Sequence, residues 1–140
     1  MVNIQIPKYF NRFLSKQSIK FVVVGVFNTI VGFLAYALYI YFIHNNYLQA
    51  LVFSHVIGVA NSYLWNNRWT FQQRKYNARS AVKFMSVYAV TFFVNLFLLT
   101  ILVDTIEMNK LIAQAIALFL TTLVSFFGHK YWSFRTSKNL

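Results

Sequence analysis

The side chains able to do chemistry here are few in kind. Arg68 carries a planar guanidinium that can bond two oxygens of one phosphate, while Lys20, Lys83 and Lys130 offer point charges. Asn28, Asn61 and Asn66 supply amides, and His55 an imidazole able to accept a hydrogen bond, carry a proton or simply bond a neighbouring helix. Charge-assisted bonds from bases to phosphate are the strongest contacts such a set makes. Nothing in it breaks bonds. There is no cysteine, no metal-ligand cluster and no glycine-rich phosphate loop, and the only acids, Asp104 and Glu107, share one short turn. The residues predict a binding protein, not an enzyme, with no cofactor and no metal.

The elements that hold these side chains are apolar. With 59% of residues hydrophobic and 11% charged, a chain this small has too few charges to cover a water-facing surface. The apolar residues fall in four blocks, 21–43, 48–65, 84–103 and 111–127, each free of Lys, Arg, Asp and Glu. Each is long enough to cross a hydrocarbon core of about 30 Å as a helix. Four helices soluble in water would show polar stripes, and these blocks do not. The sequence therefore predicts an all-α, polytopic membrane protein with four transmembrane helices. A proton-coupled cation exporter would need an acid inside a block, and none is there.

Charge predicts the orientation. Of the 13 bases, 12 lie in the N-terminal arm, the loop after the second block, and the tail. The other two turns hold Lys110 and both acids. Basic segments stay cytoplasmic, so both termini and the middle loop are expected inside the cell membrane. That arrangement accounts for the formal charge of +11 without a nucleic-acid partner. The arm, residues 1–20, places Ile6, Tyr9, Phe10, Phe13 and Leu14 at helical spacing, with Lys8, Arg12 and Lys16 on other faces. It reads as an amphipathic interfacial helix lying on anionic lipid head groups. The membrane domain is 21–135, and 136–140 is a short tail. The first block is too long for a cleavable signal peptide and lacks a small-residue cleavage site.

The chain also repeats itself. Sliding it by 63 residues superposes 20–71 on 83–134 with 11 identities in 52 positions, including Lys20-Phe21 on Lys83-Phe84 and Trp69 and Phe71 on Trp132 and Phe134. Two tandem helical hairpins follow, inserted the same way up, as parallel repeats are in transporters. Polar residues inside the blocks, among them Thr29, Ser54, Ser62, Thr91, Asn95, Gln114, Thr121 and Thr122, either line a path or join helices. The bases at the block ends either meet a phosphate or only fix topology.

The stretch from Lys20-Phe21 through Gly25 to Asn28-Thr29 resembles the opening of GtrA-like proteins. So do the second block running into Asn66-Asn67-Arg68-Trp69-Thr70-Phe71, and the ending Lys130-Tyr131-Trp132-Ser133-Phe134. The resemblance covers about residues 16 to 135. It implies translocation of a polyprenyl-phosphate-linked monosaccharide from the inner to the outer leaflet, to decorate a surface polymer such as teichoic acid or O-antigen. Expected partners are that lipid, anionic inner-leaflet lipids, membrane glycosyltransferases of the same pathway and further copies of the chain. The other function the resemblance leaves open is a non-transporting adaptor that recruits a glycosyltransferase. Two departures bear on the site. Asn67 stands where a base is common, and His129 stands in place of asparagine.

Overall fold

The computed structural model describes residues 16–70, 78–128 and 131. They form four helices: α1 (Lys16–Leu38), α2 (Tyr47–Trp65), α3 (Ala78–Thr100) and α4 (Lys110–Gly128). Wider π-helical turns, Tyr39–Ile43, Asn66–Thr70 and Ile101–Thr105, prolong the first three. The only proline in the chain lies at position 7, so nothing interrupts the backbone ladders that a lipid environment demands. α1 and α3 begin five and six residues before their apolar blocks, so Lys20 and Lys83 ride on helix rather than loop. The expected interfacial helix lies outside the described residues, except that 16–20 are the first turns of α1.

Three helical stretches are long and apolar enough to cross a membrane: Ile19–Ile43, Val82–Thr105 and Lys110–Gly128. α2 has 19 residues, as α4 does, but Gln49, Ser54, His55, Asn61 and Ser62 dilute its apolar character. Large side chains point outward all round the bundle, among them Phe42, Val82, Phe93, Phe97 and Phe119, each more than 60% exposed. Such a belt suits acyl chains and would aggregate in water. The chain is a multi-pass membrane protein.

α1 packs along α2 and α3 along α4, giving two antiparallel hairpins that meet chiefly through α1 and α4. The turns between hairpin arms are capped alike. Asn46 Oδ1 accepts from the amides of Leu48 and Gln49 at 3.0 and 3.1 Å, and Asn109 Oδ1 accepts from Leu111 at 2.9 Å. Such caps satisfy amides that have no partner inside the helix. Beneath the turns sits the core: Tyr36, Ala50, Leu51, Leu99 and Ala113, all 2% exposed or less. The two alanines let backbones approach closely. Burial recurs at the 63-residue interval, with Val24 and Val87, Tyr36 and Leu99, Ala50 and Ala113, and Leu51 and Gln114 all buried.

Candidate functional site

Away from the turns the interior changes character. α2 presents Ser54, Gly58, Ser62 and Asn66, four residues apart and therefore on one face. All four are buried. Tyr88, Thr91 and Asn95 face them from α3, Gln114 and Thr121 from α4, and Asn28 and Thr29 from α1. Together they line a cavity of about 240 Å³ within the bundle. It holds no Lys, Arg, Asp or Glu; its titratable side chains are His55 and Tyr88. Among the described residues no three of His, Asp and Glu come together, so no metal-ligand set is offered.

Most hydroxyls here are satisfied by their own helix. Thr29, Ser54, Thr91, Thr121 and Thr122 each donate to a carbonyl three or four residues back. The amides are not all satisfied. Asn66 Nδ2 donates to Ser62 Oγ at 2.9 Å, and the Tyr88 hydroxyl donates to the same oxygen. Asn66 Oδ1, Asn95 Oδ1 and Gln114 Oε1 are buried with no partner, in residues no more than 4% exposed. A buried acceptor left unpaired costs about 1–3 kcal/mol. The three residues line the hollow, while these oxygens themselves are turned into the packing between helices.

The residues expected to form the site separate into three groups. Asn28, His55 and Asn66 line the cavity. His55 stands between aromatic rings, with centroids 4.9 Å from Phe92 and 6.3 Å from Tyr88. Asn61 instead clasps α2 to α1, its Nδ2 donating to Asn28 Oδ1 at 3.1 Å. Gly58 lies beside that clasp, where a Cβ would come into ordinary contact with the Asn28 amide at 3.7 Å. Arg68 is exposed on the π-helical turn that follows α2, while its neighbour Asn66 faces inward. Lys20 lies against that same turn, 5.3 Å above the Trp69 ring and donating to its carbonyl at 3.4 Å. Lys83 is half-buried near the start of α3, one residue before the buried Phe84. Lys130 lies outside the described residues. Lys20, Arg68 and Lys83 lie toward the end of the bundle where α1 and α3 begin and α2 ends, and the amides lie deeper.

Of the polar residues expected to line a path or join helices, Asn95 and Gln114 line the cavity, and Tyr88, which the sequence did not single out, lines it with them. Tyr88, Thr91 and Asn95 fall at i, i+3 and i+7, one face of α3, and Gln114 and Thr121 lie seven apart on α4. That spacing was the available signal.

The fold and the hollow define a small helical membrane protein with an uncharged, largely apolar cavity inside its bundle, into which a few polar side chains are set. By its sequence the chain belongs to the GtrA/DPMS transmembrane-domain family, whose model matches residues 20–135. It is similar to the uncharacterized membrane protein YngA of Bacillus subtilis, at 32% identity over 139 residues, 94% of this chain and 93% of that protein. It is also similar to the uncharacterized membrane protein YwcD of the same organism, at 25% identity over 122 residues, 84% of this chain and 96% of that one. No solved structure matches it.

Proposed function

We propose that the protein carries a polyprenyl-phosphate-linked monosaccharide from the inner to the outer leaflet of the cell membrane, supplying sugar to a surface polymer such as teichoic acid or O-antigen. The observation that carries this reading is the cavity: unpartnered amide oxygens sit inside the bundle, below a rim of bases. An isoprenoid chain is at ease in lipid, but a phosphate and a sugar are not. The bases at the rim would take the phosphate, Arg68 and Lys20 first among them, with Lys83 and Lys130 as counterparts from the second half. The amides would take the sugar. Membership of the GtrA/DPMS family supports a role in handling sugar lipids.

In this reading all four helices span the membrane, as two tandem hairpins inserted in parallel. The recurrence of buried positions at the 63-residue interval favours it. Both termini and the loop between the hairpins face the cytoplasm. Further copies of the chain, inner-leaflet anionic lipids and a membrane glycosyltransferase are its partners.

The test is purified protein in proteoliposomes supplied on one side with short-chain polyprenyl-phosphoryl glucose or polyprenyl-phosphoryl N-acetylglucosamine. Uptake above protein-free vesicles is expected. No uptake, together with co-purification of a glycosyltransferase, would replace the carrier by an adaptor.

A further inference from the structure

We propose that the sugar enters this cavity sideways from the bilayer, through the seam between α1 and α4, and is received by the amide side chains of Asn66, Asn95 and Gln114 on the inner wall. This rests on the carrier reading above and names the door and the receiving residues.

The position of the mouth follows from exposure. Cavity-lining residues on α2 and α3 are buried or half-buried. The exposed ones are Val22 and Val26 on α1 and Leu123 on α4. The hollow therefore opens toward lipid between these two helices. α1 is also stripped of side chain along this line. At Gly25 and Gly32, both lining the cavity, an added Cβ would meet nothing within 4 Å. Elsewhere the glycines are fitted against neighbours: Gly58 faces the Asn28 amide and Gly128 faces Val87 at 3.2 Å. The space beside α1 is thus unfilled at these two positions, while the helix pairs within each hairpin are closely packed.

Across the seam two hydroxyls meet, Thr29 Oγ1 and Thr122 Oγ1 at 3.2 Å. Each hydroxyl has one proton, and each proton is already directed to its own helix, Thr29 to Gly25 O and Thr122 to Leu118 O. Little is lost if the pair separates. The receiving residues suit a polyol. Asn66, Asn95 and Gln114 come from three different elements, and an amide can both donate and accept. Sugar hydroxyls do the same, and no fixed positive charge among the described lining residues would hold an anion instead. At roughly 30 Å³ per water, the cavity has space for about eight waters or a single pyranose ring.

The chain contains no cysteine, so a pair can be introduced without competitors. The Thr29→Cys/Thr122→Cys protein would be assayed in proteoliposomes for uptake of the two short-chain polyprenyl-phosphoryl sugars, first reduced, then oxidised, then reduced again. Sulfur atoms replacing hydroxyls at 3.2 Å need a shift of about 1 Å to bond. Oxidation is expected to slow uptake at least about tenfold, and reduction to restore it, because a locked seam admits nothing. A second series, Gly25→Ala, Gly25→Val and Gly25→Phe, fills the mouth in steps and should slow uptake in that order. A complete disulfide with unchanged uptake, or a Gly25→Phe protein as fast as wild type, would overturn the lateral entry. Absence of uptake by the unmodified protein would remove the carrier reading and this proposal with it.

Discussion

The two ends of the bundle are built on opposite rules. Under the turns, Tyr36, Ala50, Leu51, Leu99 and Ala113 form a plug with almost no exposed atom. Polar clamps tie the hairpins together above it. Tyr47 donates to Asp104 at 2.5 Å, and Lys110 Nζ donates to the Asn45 carbonyl and side-chain oxygen, both at 2.8 Å. Toward the basic rim the same four helices enclose a hollow in which three amide oxygens have no partner. In lipid there is no hydrophobic gain from bringing helices together, so close packing and polar bonds hold the bundle. Close packing marks the plug. Around the hollow the helices are joined by polar bonds instead, Asn61 to Asn28, Tyr88 to Ser62 and Thr29 to Thr122.

That contrast can be broken most severely at the plug. Ala50→Leu together with Ala113→Leu forces side chains into a space occupied by backbone. Each is expected to cost about 1–3 kcal/mol, seen as a lower midpoint in a thermal melt of the detergent-solubilised protein. Retention of the wild-type midpoint would show that the two ends are equally tolerant.

Substitutions in the hollow should do the reverse. Asn95→Leu and Gln114→Leu remove unpaired acceptors and replace them with apolar groups of similar shape. Stability is expected to hold or rise by up to about 1 kcal/mol, while sugar uptake in proteoliposomes falls. A fall in stability with uptake intact would assign these amides to structure.

At the rim, Arg68→Ala should lower the sugar content of the surface polymer at matched protein levels. Arg68→Lys should do so only in part, because it keeps the charge and loses the fork. Lys75→Ala serves as the comparison, with near-normal glycosylation expected. The smallest effect belongs to the exposed clamp. Tyr47→Phe removes its bond to Asp104 and should lower the melting midpoint by the equivalent of about 0.5–1 kcal/mol, with uptake unchanged.

Much of the fold was legible because lipid imposes a simple rule. A block of apolar residues free of charge becomes a helix, and the helix ends fell within a few residues of the block ends. The asparagines at 46 and 109 could be matched by the repeat, and both cap helices. The site was less legible. Asn66 and Arg68 lie only two residues apart in the sequence. Two residues along a helical turn cover roughly half a circle, so one faces the hollow and the other faces out. Asn28 and Asn61 lie 33 residues apart and are hydrogen-bonded, which no local pattern signals. Nor does a list of polar residues distinguish Thr121, satisfied by the Ala117 carbonyl, from Gln114, whose oxygen has no partner. That distinction depends on three helices at once.

The plug has a mechanical consequence. Four stiff rods pinned at one end behave as levers, and the pin is the fulcrum. Tyr36 sits in the plug and Gly25 sits at the mouth, 11 residues away on α1. At 1.5 Å per residue the arm is about 16 Å, so a tilt of roughly 10° moves the helix at Gly25 by about 3 Å. The same tilt leaves the fulcrum almost still. A small rotation about two alanines, with no helix unwound and no cap released, would open a gap of atomic width beside Gly25.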